Sequence, residues 1–296
     1  MRAGAFKVNQ PLPELREPHV FAMLEPWIDA GDVGKLTLAW MERHTQAKPL
    51  AELAKPGNFY DFTRYRPLIY TRRGQRHLDI PNTRITWGRR EQGPGNDFIF
   101  LHMLEPHMLG ELYVESVSQV LEMFDVRRYC LVGSMYNFVP HTRPPLISGG
   151  ASPDKLRKEL EKLGVSTSNY QGPTTICTLI SQRAAARGIE NVTLIVNLPQ
   201  YTQLDENFMG VVRIEEIISS LYGIPVSEDS RNRARRQQEQ INTAIAENTQ
   251  VQDILQELEE SYDARSHENQ ETEEPSPLSP QVEEFLREME RRFKRE

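Results

Sequence analysis

Cysteine is scarce. Cys130 and Cys177 are the only two in 296 residues, and a single bridge cannot staple a chain of this length, so a disulfide scaffold is excluded. Both lie in apolar runs that suit buried, reduced thiols. Long apolar runs are missing as well. No stretch approaches the ~18 to 20 residues that a membrane helix needs, and the N-terminal MRAGAFKVNQPLPELREP lacks the apolar core of a signal peptide. The expectation is a cytoplasmic protein with no membrane partner. An excess of basic residues is also lacking: 35 Lys and Arg stand against 42 Asp and Glu, for a net charge of −7. From Asp253 onward there are 14 acidic and 6 basic residues. The body of the chain is therefore close to neutral, and no nucleic-acid partner is expected.

Several catalytic fingerprints are absent too. There is no GxGxxG and no Walker lysine with its serine or threonine, which leaves a nucleotide cradle unsupported. Gly133 and Ser134 are followed by Met135 and Tyr136, so the GxSxG elbow of a serine hydrolase is not formed.

What is present is an alternation of short apolar runs with amphipathic segments between residues 19 and 222, the pattern of an α/β domain. The strand candidates are HVFAML (19–24), PLIYTR (67–72), RITWG (84–88), FIFLHM (98–103), RYCLVGSM (128–135) and VTLIVNLP (192–199). Three of these are nearly continuous apolar stretches, as in strands covered on both faces, so a mostly parallel central sheet is expected. Helices are expected over 32–46, 107–124, 153–163, 173–187 and 208–222. The second places Leu109, Leu112, Val117, Val120, Leu121 and Phe124 on one broad face. The fold class that follows is a three-layer αβα sandwich with a C-terminal helical extension.

Mean hydropathy is −0.57 and hydrophobic content 38%, low for a chain that is core throughout, and the tail accounts for this. The organisation read from the sequence is a domain over 1–227, a helical extension over 228–265, an acidic disordered linker over 266–280 and an amphipathic helix over 281–296. In the extension, Ile241, Ala244, Val251, Ile254, Leu255, Leu258 and Tyr262 recur at helical spacing, with Asn248 in the stripe. This is either a short seam that pairs copies of the chain or a helix pair folded back over the body. The last helix, with Val282, Phe285, Leu286, Met289 and Phe293 on one face, reads as a tethered docking element for a protein partner.

Five polar clusters follow predicted strands, where ligands bind in open α/β sheets. The first is LEPWIDAGDVGK, with Trp27 and Asp29; Asp29 or Asp32 serves as a helix N-cap. The second is FYDFTRYRP, with Asp61, Arg64 and Arg66. The third holds His102, Glu105 and His107, whose spacing differs from HExxH and offers no third ligand pattern, so no metal or cofactor is expected. The fourth, NFVPHTRPP, fixes His141, Thr142 and Arg143 between prolines. The fifth comprises NYQGPT with Tyr170, and PQY with Tyr201. A His and Arg pair on a rigid loop suits an anion, with His141 as acid or base and Arg143 and Arg66 as clamps. It suits equally an ion pair to Glu105 or Asp29.

Taken in order, WxDAGxxG (27–34), DFxxxRP (61–67), the strand ending in EP (105–106), PHTRP (140–144), YxGPT (170–174) and PxY (199–201) resemble the bacterial branch of the proteasome assembly chaperone family. The resemblance covers roughly residues 15–225. It implies a phosphorylase/hydrolase-like αβα fold and a homo-oligomer, a trimer being one form of it. It also implies a non-catalytic assembly or interaction role, since eukaryotic and archaeal relatives assist proteasome core assembly. The alternative is an enzyme or small-ligand protein acting on an anionic substrate at the strand-end cluster. Relatives that dock through a C-terminal hydrophobic-tyrosine tail differ from this chain, which ends Phe293, Lys294, Arg295, Glu296.

Overall fold

The computed structural model describes residues 1–90, 95–246 and 249–268. In chain order these form β1 (Arg2–Ala3), β2 (Phe6–Val8), β3 (His19–Glu25), α1 (Val33–His44), β4 (Lys48–Leu53), β5 (Leu68–Arg72), β6 (Gln75–Asp79), β7 (Arg84–Gly88) and β8 (Phe98–Leu104). There follow α2 (Gly110–Met123), β9 (Arg128–Asn137), β10 (Ile147–Ser152), α3 (Asp154–Lys162), β11 (Val165–Thr167), α4 (Ile176–Ala186), β12 (Glu190–Pro199), α5 (Phe208–Tyr222), α6 (Glu228–Ala246) and α7 (Thr249–Glu268).

The apolar runs at 19–25, 98–104, 128–137 and 190–199 form the middle of one large sheet, ordered β1-β2-β4-β7-β8-β3-β9-β12-β10-β11. The central four, β8, β3, β9 and β12, pair in parallel, with Val20 opposite both Ile99 and Tyr129, and Val192 opposite Cys130. Strand alternation splits their side chains between two cores. Val20, Ala22 and Leu24 join Tyr113, Val117 and Leu121 of α2 and Ile176 and Ile180 of α4. Phe21 and Met23 join Leu38 and Met41 of α1, Leu156 of α3 and Val211, Ile214 and Ile218 of α5. Both sides of the middle strands are covered, which is why they read as continuous apolar runs rather than as alternating ones.

The expectation of a mostly parallel sheet holds only at this centre. β7, β4, β2 and β1 add antiparallel on one side and β10 adds antiparallel to β12 on the other, so the sheet is mixed. β10, ISGGAS, carries two glycines and little apolar surface, so it gave no strand signal. PLIYTR is not part of this sheet. β5 pairs only with β6 in a separate hairpin, closed by the two-residue turn Arg73-Gly74 with both φ values positive; that turn is the hairpin signal the apolar count passed over. On α2 the buried stripe is Tyr113, Val114, Val117, Val120 and Leu121, whereas Leu109 and Leu112, expected to share it, are 52% and 47% exposed.

The stretch after residue 228 forms two helices that touch each other. α7 extends to Glu268, three residues into the stretch read as a linker. Asn248, the rest of the 266–280 linker and the 281–296 helix lie outside the described residues. Among the described residues no helix is long and apolar enough to cross a membrane.

Candidate functional site

The loops after β3, β8, β9 and β12 all leave the same edge of the sheet, because these strands run parallel. The polar clusters that follow these four strands therefore share an edge, but their side chains form separate groups.

The first group is built on the turn into α1. Asp29 is 7% exposed, and its carboxylate accepts from the backbone N–H of Gly34 at 2.5 Å and of Lys35 at 3.3 Å. It thus satisfies two N–H groups of the first turn of α1 from outside the helix, whereas Asp32, which occupies the N-cap position, makes no side-chain capping bond. Burial pushes the Asp29 carboxyl up to about 7, against the pull of those two donors. Gly34 is required here because a Cβ would stand 2.9 Å from both Asp29 Oδ1 and Val132 O, and Gly31 adopts φ +61°. Those two constraints account for the glycines of WxDAGxxG. Glu25, Asp29 and Asp32 offer carboxylate oxygens within 4.8 Å of one another. Lys35 Nζ lies 3.1 Å from both Glu25 and Asp32, so an ammonium already answers two of the three charges. Trp27 projects outward, 62% exposed.

The second group lies at the end of β8. Glu105 Oε1 accepts from the backbone N–H of Ile176 at 3.2 Å, at the start of α4, while its Oε2 is buried without a partner among the described residues. Burial raises the Glu105 carboxyl above its ordinary range, and the Ile176 donor opposes this. His107 Nδ1 accepts from the Asp61 N–H at 3.1 Å, and its ring lies 4.7 Å from that of Tyr65. The Asp61 carboxylate closes a local turn on Thr63 N and Oγ1 at 2.8 and 2.7 Å. His102 points elsewhere and meets Glu42 at 3.0 Å. The set His102, Glu105 and His107 therefore does not converge.

The third group is the one in which distant parts of the chain meet. His141, 6% exposed, places Nδ1 and its backbone nitrogen each 2.7 Å from Tyr201 Oη, and Nε2 3.0 Å from Asn242 Oδ1 on α6. Asn242 Oδ1 can only accept, so Nε2 carries the ring proton; in the neutral ring Nδ1 then accepts the Tyr201 O–H, while the Tyr201 oxygen accepts the backbone N–H. Burial lowers the His141 ring below its ordinary value, in keeping with that state. Arg143 forms a two-pronged contact with Asp263 of α7, at 3.0 and 2.8 Å, and approaches Glu259 at 3.5 Å. Thr142 donates to Glu259, and Tyr262 donates to the Pro144 carbonyl at 2.9 Å.

The ion pairs expected from Arg66 or Arg143 to Asp29 or Glu105 are thus not made. Asp29 and Glu105 are held by backbone donors and Arg143 by α7, while Arg66 is exposed at the root of the hairpin. Tyr170 is 63% exposed and caps its own turn through Pro173 O at 2.9 Å. The sequence reading missed Asn242, Glu259 and Asp263. Glu259, Tyr262 and Asp263 fall at i, i+3 and i+4, a helical face legible in the sequence, but the apolar stripe drew the reading.

Beneath α6, between His141, Arg143, Asn197, Asn207 and Ile241, a cavity of about 20 Å³ remains. That is room for about one water molecule and for no substrate. An open cleft of about 590 Å³ lies between α1, α5 and the start of α6, walled by Trp40, Phe208, Arg43, His44 and Arg233. None of the residues singled out in the five sequence clusters lines it.

No curated protein matches the chain in sequence. Among solved structures it is similar to a Mycobacterium tuberculosis proteasome-assembly chaperone homologue, with 25% identity over 80% of this chain and 99% of that one and a TM-score of 0.70. A second M. tuberculosis protein, of unknown function, is also 25% identical, over 90% and 93% of the two chains, with a TM-score of 0.77. The Pyrococcus furiosus archaeal proteasome activator PbaB shares the fold at 15% identity and a TM-score of 0.62, covering 81% of this chain and 97% of its own. The PAC2 family model matches residues 23–245, the span that contains every one of the sequence motifs above, and the chain belongs to the PAC2 family.

Proposed function

We propose that this protein is a non-catalytic assembly or interaction factor of the proteasome-assembly-chaperone type, acting in the cytoplasm as a homo-oligomer. The observation that carries this reading is the state of the PHTRP loop. His141 has both ring nitrogens committed, to Tyr201 and Asn242, and Arg143 is taken by Asp263 and Glu259 of its own chain. A general acid or base needs a proton site open to substrate, and a clamp needs an unclaimed cation. At this loop neither is offered, and the adjoining cavity of about 20 Å³ does not admit a substrate.

In this reading the body over 1–227 is a three-layer αβα sandwich, supported by the two cores on opposite sides of the sheet. The extension over 228–265 is strapped to that body at the PHTRP loop, and the polar clusters are structural. The similarity to a proteasome-assembly chaperone homologue supports the partner class, proteasome core subunits. The test is assembly of core particles from separately purified α and β subunits of the source organism, with and without this protein. A change in the rate or in the intermediates supports the reading. No change, and no co-migration with either subunit, overturns it. Thermal melts against phosphates and carboxylates address the anionic-substrate alternative, and no shift is expected.

A further inference from the structure

The hairpin of β5 and β6 exposes what an interior strand would bury. Every residue of β5 faces water, with Leu68, Ile69 and Tyr70 at 65%, 59% and 48% exposure, and Leu78 on β6 is 59% exposed. Ile69 and Leu78 stand directly opposite each other across the ladder and make an apolar pair on one face. On the other face Tyr70 stacks on His77 with ring centroids 5.4 Å apart. An isolated two-stranded hairpin is marginal in water and needs a third strand or a helix to pack against, and among the described residues neither lies over β5. The tip is cationic: Arg72, Arg73 and Arg76 have no carboxylate partner among the described residues, and the single acid of the hairpin, Asp79, is taken by Arg84.

A surface of opposite character lies at the start of α2. Met108, Leu109 and Leu112 are 46%, 52% and 47% exposed, and Leu179 on the adjoining α4 is 47% exposed. Between them stands Glu111, exposed and without an ion pair among the described residues. Apolar side chains around an unpaired carboxylate are the complement of apolar side chains beside unpaired guanidinium groups. Both surfaces occur in one chain whose acids outnumber its bases, 42 to 35.

We infer that the β5–β6 hairpin is an arm that packs on the α2–α4 face of a second copy of this chain. Ile69 and Leu78 cover Leu109, Leu112 and Leu179 there, and the arginines of the tip meet Glu111. Because arm and face are different surfaces, the contact closes either as a reciprocal exchange between two copies or head to tail around a ring. The inference rests on the homo-oligomer of the proposed function and assigns its interface.

Light scattering on the full-length chain at tens of micromolar tests it. The parent is expected at a multiple of 34.2 kDa. The double variant Ile69→Asp/Leu78→Asp, and separately Leu112→Asp, are expected to fall to the single-chain mass with unchanged circular dichroism, since all three side chains are exposed. The triple variant Arg72→Glu/Arg73→Glu/Arg76→Glu is expected to raise the dissociation constant at least tenfold, and adding Glu111→Arg to recover part of that loss. A parent at 34.2 kDa overturns both the homo-oligomer and this interface. An oligomeric parent whose arm or α2 variant stays assembled overturns the interface alone.

Discussion

Tyr201 Oη lies 2.7 Å from both the backbone nitrogen and the Nδ1 of His141, so one phenol serves two polar groups of a buried residue. Tyr201→Phe leaves both without a partner in a space too small to be filled by several waters. The expected cost is about 1–3 kcal/mol, read as a lower urea midpoint at unchanged slope. His141→Asn, whose amide can still reach Tyr201, should lose less. Equal stability of Tyr201→Phe and the parent would remove this pairing from the account.

Two buried groups give the stability curve opposing slopes. Burial, aided by the charge of Arg128, lowers His19 to about 3, whereas burial raises Asp29 to about 7. The unfolded His19 binds a proton below about pH 6.5 when the native ring does not, so its contribution is lost as pH falls from 6.5 toward 3. Native Asp29 keeps a proton between about pH 4 and 7 when the unfolded carboxyl has lost it, so its contribution is present below 4 and lost as pH rises through 7. Each slope reaches at most about 1.4 kcal/mol per pH unit. Between pH 4 and 6.5 the two offset each other. Denaturant unfolding of Asp29→Asn should therefore show stability rising with pH in that window, and of His19→Asn stability falling. Parallel curves for both variants and the parent would refute the assignment.

Arg143→Ala should loosen α7 without unfolding the body. Its partners Asp263 and Glu259 are 49% and 28% exposed, so they rehydrate when the guanidinium is removed, and the penalty of a buried orphan charge does not apply. Amide exchange is expected to accelerate in α7 and at the end of α6 while β9 and β12 keep their protection. Arg143→Lys should rescue little, because an ammonium cannot reproduce the two-pronged contact. Unchanged exchange in α7 for Arg143→Ala would show that the loop does not hold the helix.

Both thiols should be silent in the native protein. Cys130 and Cys177 are 1% and 0% exposed, and burial pushes each up to about 12. Aromatic disulfide reagents are expected to titrate no thiol at pH 8 without denaturant and two in guanidinium. Rapid native labelling of either cysteine would contradict this placement.

The alternation of apolar runs and amphipathic helices was enough to give the α/β class, the middle strands β3, β8, β9 and β12, and all five helices of the body to within a few residues. The reason is local: strands covered on both faces must be apolar throughout, and helices at a sheet surface must carry a stripe. The motif glycines were visible for a similar reason, since Gly31 and Gly34 answer to backbone geometry within one turn. Tertiary structure alone decided the rest. Whether PLIYTR enters the sheet depends on which edge receives it, and a strand's own residues do not record that; the edge went to β7, leaving β5 to pair with β6. The partners of His141 and Arg143 were undecidable from sequence because the choice among Asp29, Glu105, Asn242 and Asp263 turns on where two helices about 100 residues further on come to rest. Residue type fixes the chemistry a side chain can do, but distance decides which of it is used.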